Sequence, residues 1–128
     1  MRADEVALAP VVEEVLATFE RYEAALVANN VDVLDELFWR SPMTIRYGVA
    51  DVQHGWDDVS RFRRGLEQQT VPRRLEHTVV TTFGSDVAVV ATEFVPVEAS
   101  SPRGRQSQTW VRFAEGWRVV AAHVSLVD

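Results

Sequence analysis

The stretch Gly104–Val127, "GRQSQTWVRFAEGWRVVAAHVSLV", decides how this chain is read. Two segments rich in β-branched and aromatic residues flank Ala114-Glu115-Gly116, a turn-forming triplet, so the stretch predicts two strands joined as a hairpin. One face of the first strand carries Gln106, Gln108, Trp110 and Arg112; the other carries Arg105, Ser107, Thr109, Val111 and Phe113. His123 and Ser125 share a face of the second strand.

Working back from this hairpin, the same period of two recurs in Leu75–Phe83 and Val87–Val97, punctuated by "FGSD" and "EASSPRG". Four long strands, Leu75–Phe83, Val87–Val97, Arg105–Phe113 and Trp117–Val127, are therefore expected as an antiparallel meander. The first third has a period near 3.6 instead. Val12, Val15, Leu16, Phe19, Tyr22 and Leu26 predict a helix over residues 11–29, with Asn29-Asn30 as its stop. "VDVLDELFW" and "WDDVSRFRRGL" predict two shorter helices, the latter packing through Val59, Phe62 and Leu66. "MTIRYG" reads as a short strand, "ADVQHG" as a strand or loop, and "EQQTVPRR" as a loop. Three N-terminal helices followed by a strongly bent antiparallel sheet form an α+β cone with one internal cavity, a layout suited to a small-ligand site. The whole chain, 1–128, is expected to be one domain with its core over about 11–127.

Composition narrows the function. The 128 residues carry a formal charge of −6 and no cysteine. Disulfides and thiolate chemistry are excluded, and a nucleic-acid partner is disfavoured by the charge. The acidic N-terminus does not resemble a signal peptide, and no apolar run is long enough to span a bilayer, so a cytoplasmic protein without a membrane partner is expected. His54, His77 and His123 lack short metal-ligand spacing, and no phosphate loop, dinucleotide fingerprint or nucleophile elbow is present. Any catalysis is expected to need neither metal nor cofactor.

The remaining candidates each admit two readings. Tyr22 lies on the apolar stripe of the first helix, either as a core tyrosine or as a phenol that exchanges protons in the cavity. Arg46 shares its strand face with Thr44 and Gly48; alternation alone puts that face in solvent. In a short edge strand wrapped by helices, the guanidinium would instead be covered and need an anion. Gln106, Gln108 and Trp110 would line a site for a polar planar ligand or simply cover a sheet face. His123, Ser125 and Glu93 belong either to that site or to the core.

The strings "LDELFWRSPMTIRYG" (34–48), "HGWDDVSRFR" (54–63) and "GRQSQTWVRFAEGWRVVAAHVSL" (104–126) resemble the AtzH-like family over about Phe19–Val127. That family has the cone fold of nuclear transport factor 2 and the SnoaL-like proteins. The resemblance implies a homodimer and a role on small carboxylated ureas in cyanuric acid or oxalurate breakdown, described as a decarboxylating amidohydrolase activity. Tyr22, in "FERYEAAL", would then be the proton donor or acceptor and Arg46, in "TIRYG", the carboxylate clamp. The alternative is a non-catalytic ligand binder or an accessory protein for a neighbouring ureido-carboxylate amidase.

Overall fold

A computed structural model of the chain describes residues 1–66 and 72–127. After a 3-10 turn at Ala3–Glu5 come α1 (Ala9–Ala28), α2 (Val31–Leu37), β1 (Ile45–Tyr47), β2 (Val52–His54) and α3 (Trp56–Gly65). Four long strands follow: β3 (Arg73–Phe83), β4 (Val87–Pro96), β5 (Gly104–Phe113) and β6 (Gly116–Leu126). Among the described residues no helix is long and apolar enough to cross a membrane.

The helix boundaries follow from local chemistry. Asn29 ends α1 in the left-handed region at φ 54°, which asparagine tolerates. The next residue, Asn30, caps α2, its side-chain oxygen accepting from the Val33 N–H at 3.3 Å. Val15, Phe19, Tyr22 and Ala25 form the buried stripe of α1, while Leu16 is partly exposed. On α3 the buried face is Val59, Ser60 and Arg63; Leu66, expected to pack, is exposed.

The six strands form one sheet in the order β2-β1-β6-β5-β4-β3. Strands β3 to β6 make the expected antiparallel meander. The sheet as a whole is mixed, because β1 runs parallel to β6. The edge on that side is β2, from "ADVQHG", so β1 is an inner strand and not the edge strand expected. Of the loop expected at "EQQTVPRR", residues 67–71 lie outside the described residues, and Arg73-Arg74 already belong to β3.

Two irregularities shape the sheet. In β3 the pairing with β4 shifts between Glu76 and Val79, where His77 adopts φ 53°. In β6, Thr109 pairs with Ala121 but Trp110 pairs with Val119, leaving Val120 as an extra residue. Such bulges bend a strand and raise its local twist. α1, α2 and α3 pack on one face around Phe19, Leu34, Leu37, Phe38, Val90, Trp110 and Val119.

Candidate functional site

Strand register places one row of residues across the inner face of the sheet. Reading from β2 to β3, it runs Gln53, Arg46, Ala122, Gln108, Val90, Val80. Arg46 and Gln108 are thus brought to the same surface from opposite ends of the chain, separated by the methyl group of Ala122. At about 4.8 Å between strands, their Cα atoms are roughly 10 Å apart.

The Thr44–Arg46 face of β1, which alternation alone assigns to solvent, is the inner one. Thr44 is fully buried, its hydroxyl donating to the Trp39 carbonyl at 2.6 Å, and Phe62 of α3 lies over the Arg46 guanidinium at 5.3 Å. Tyr47 instead faces outwards, as does the exposed Met43. Arg46 Nη1 donates to Asp51 Oδ1 at 2.7 Å and to Gln53 Oε1 at 2.8 Å, and Gln53 Nε2 donates to the same Asp51 oxygen at 3.0 Å. One nitrogen therefore carries both contacts. A guanidinium has five N–H donors, so this pairing orients Arg46 while leaving donors over.

Next in the row, Gln108 is fully buried and accepts the indole N–H of Trp110 at 3.0 Å. An indole nitrogen can only donate, so the amide orientation is fixed and the NH2 group is the end without a partner. Gln106, two residues earlier on the same face, repeats the pattern. Its oxygen accepts from Arg73 Nη2 at 3.4 Å, again a donor-only group, and its NH2 has no partner. Arg73 is held by Glu23 of α1 through Nε–Oε2 at 2.7 Å and Nη2–Oε1 at 2.8 Å.

Tyr22 is buried beside this strip. Its ring packs edge-on to Trp110 at 6.0 Å and lies 6.3 Å from Phe38. Arg63 also packs on Phe38, its guanidinium carbon 4.8 Å from the ring centre. Arg63 is only 6% exposed, and its Nε and Nη2 lack partners among the described residues. The sequence reading missed it because "RFRRG" looks like a basic surface run; the signal was its spacing of four from Val59 on the buried stripe of α3.

Five buried side-chain polar atoms lack a partner among the described residues: Arg63 Nε and Nη2, Gln106 Nε2, Gln108 Nε2 and Thr82 Oγ1. Four of them are N–H donors, so the interior is short of acceptors. An unpaired buried donor costs about 1–3 kcal/mol, and an acceptor-rich guest would recover that cost.

The other expected site residues lie elsewhere. The bulge at Val120 turns Ala122 inwards and hence His123 and Ser125 outwards, onto the face that no helix covers among the described residues. Glu93 is on that outer face too, its Oε2 2.9 Å from His77 Nδ1. Ser125 accepts there from Arg105 Nε at 2.9 Å. These groups line a separate outer groove of about 390 Å³. Gln106 also borders that groove, but Gln108, Trp110, Tyr22 and Arg46 do not, because successive residues of a strand point to opposite faces.

Two crystal structures share both sequence and fold with the chain. A protein of unknown function from Pectobacterium atrosepticum, of the DUF3225 family, is 48% identical, with a TM-score of 0.95 over 100% of this chain and 99% of that one. A cystatin-like fold protein from Burkholderia xenovorans is 49% identical, with a TM-score of 0.90 over 96% of each chain. A nuclear transport factor 2-like superfamily protein from Salmonella enterica shares the fold at 22% identity, with a TM-score of 0.74 over 94% of this chain and 93% of that one. No curated protein matches. The AtzH-like family profile matches residues 4–128, and with the nuclear transport factor 2-like fold of three helices on a bent sheet this establishes that the chain belongs to the AtzH-like family.

Proposed function

We propose that this protein is a small enzyme acting on carboxylated ureas, using its own side chains for a decarboxylating amidohydrolase reaction. The observation that carries the reading is the surplus of buried N–H donors, with the Gln106 and Gln108 amides fixed so that their NH2 groups are unpartnered. A carboxylated urea presents carboxylate and carbonyl oxygens, all acceptors, and so complements that surplus. In this reading Arg46, oriented by Asp51, holds the carboxylate through its remaining N–H groups. Gln108 holds the urea carbonyl, stabilising the charge that builds on its oxygen as water adds. The Tyr22 phenol gives a proton to the nitrogen that departs when the C–N bond breaks, the attacking water restores it, and the carbamic acid left on the other nitrogen breaks down to CO2 and an amine.

The test is turnover of oxalurate and carboxyureas by purified protein, with Tyr22→Phe and Arg46→Lys as variants. Loss of a positioned acid or base is expected to lower kcat by about 10²–10⁴-fold. Folded variants that keep wild-type turnover would remove both assignments, and an inactive wild type would remove the enzyme reading.

We also propose that the protein works as a homodimer joined through the helix-free face. Its two central rows are Val52-Tyr47-His123-Ser107-Ala91-Val79 and His54-Ile45-Ala121-Thr109-Val89-Thr81. Neither row holds an Asp, Glu, Lys or Arg, although such residues make up 25% of the chain. Val52, Val79 and Tyr47 are exposed there, as expected of a surface that a second sheet would cover.

A further inference from the structure

All three histidines of the chain, His54, His77 and His123, lie on the sheet face that no helix covers among the described residues. They differ in what surrounds them. His77 Nδ1 is 2.9 Å from Glu93 Oε2, so a proton on that ring is balanced within the protomer. His54 and His123 are exposed, and neither has a carboxylate within ion-pair distance among the described residues. Both belong to the two central rows that hold no Asp, Glu, Lys or Arg. Tyr47 lies between them, its ring nearly perpendicular to each, 6.2 Å from His54 and 5.7 Å from His123. The charged groups around His123 are Glu93, engaged by His77, and Arg105, which donates to Ser125. Those around His54 are Asp58, which accepts its backbone N–H and pairs with Arg61, and Asp57 and Arg40, which share its cavity.

We propose that association through this face is controlled by pH, with His54 and His123 as the switch: the dimer forms while both imidazoles are neutral and separates when they take up protons. The switch rests on the homodimer reading above and supplies its regulation. Histidine is the side chain that ordinarily changes charge between about pH 5 and 8, so rows without Asp, Glu, Lys or Arg are uncharged only towards the upper end of that range. A two-fold interface presents the same patch twice, so protonation would set the imidazoliums of both copies against one another. Burying a charge without a partner is costly, and the cores of interfaces are depleted of charge. Separated protomers, whose imidazoles stay hydrated, therefore bind protons more readily than the dimer does, and the dissociation constant rises as pH falls. One effect acts in the opposite sense. The formal charge of −6 shrinks as histidines are protonated, which weakens repulsion between copies. That effect is long-range, and at about 0.15 M salt it is screened beyond roughly 8 Å.

The experiment is sedimentation velocity near pH 8 and near pH 5.5 in about 0.15 M salt, on wild type and on variants. Wild type is expected to be a dimer near pH 8 and to show a Kd about 100-fold higher or more near pH 5.5, with unchanged circular dichroism. His54→Gln/His123→Gln, uncharged at both pH values, should remain a dimer at both. His77→Gln should dissociate in acid as wild type does. A wild type with the same Kd at both pH values would overturn the switch and leave the homodimer reading standing. A wild type that is monomeric near pH 8 would overturn that reading and the switch with it. If the double variant dissociates in acid like wild type, His54 and His123 are not the switch. If the double variant does not dimerise at all, the single variants decide, and an undiminished pH response in both overturns the assignment. Loss of circular dichroism by wild type near pH 5.5 would overturn it too, because separation would then follow from unfolding.

Discussion

Val119 and Ala122 both face the core although they lie three positions apart along β6, because Val120 is bulged out of register between them. The bulge resets the alternation and brings the smallest chiral side chain, alanine, between Arg46 and Gln108. Ala122→Leu is expected to destabilise by about 1–3 kcal/mol through overpacking and to block ligand response. Ala121→Leu, on the outer face, should leave ligand response intact. Urea unfolding and ligand titration of the two variants provide the comparison.

The buried Trp110–Gln108 hydrogen bond predicts non-additive mutants. Gln108→Leu leaves the indole N–H unpaired and is expected to cost about 1–3 kcal/mol. In the double variant Gln108→Leu/Trp110→Phe that unpaired group is gone, so its cost should fall below the sum of the singles. Strict additivity in a double-mutant cycle would mean that the bond contributes nothing.

Glu23 and Arg73 link α1 to β3 with side chains only 15% and 6% exposed. Glu23→Ala leaves a buried guanidinium without its anion and is expected to cost about 3–5 kcal/mol. Calorimetry should show Tm lowered by on the order of 10 °C. A drop of one or two degrees would place the pair in water.

The homodimer proposal predicts that Ala91→Glu, which puts a charge at the centre of the uncharged outer rows, shifts the protein from dimer to monomer in sedimentation without changing its circular dichroism. A wild type that sediments as a monomer would end the proposal.

Two surface carboxylates set an acid limb to stability. Hydrogen bonds from Arg21 to Glu36 and from Arg74 to Glu76 hold both carboxyls below the ordinary value of 4.5. Because the folded pKa is depressed, their stabilisation is present above the unfolded value and is lost as pH falls through the folded one. Glu36→Gln/Glu76→Gln should therefore unfold at a urea midpoint that varies less below pH 4.5 than that of wild type. Matching slopes would show that solvent screens both pairs.

Much of the fold was written in local pattern. The 3.6-period of Val15, Phe19 and Tyr22 marked α1, and the period of two grouped Gln106, Gln108 and Trp110 on one face of β5, which folding turned inwards, because a strand without irregularities keeps its period. The long hairpin string also carried the family. What failed was whatever depended on non-local partners. Alternation alone left the face of Arg46 open, since nothing in "MTIRY" tells which face Phe62 of α3 will cover; only the family resemblance turned it towards the cavity. His123 and Ser125 shared a strand with Ala122, yet a single extra residue, Val120, decided which face they would take. Arg63 stood out in no local pattern, and only packing set its guanidinium over Phe38 without a carboxylate among the described residues. The sequence by itself determined the elements, because propensity and periodicity act over a few neighbouring residues. Only the tertiary structure decided which charges are paired and which donors stand open, because partners such as Arg73 and Glu23 are joined by folding across fifty positions of the chain.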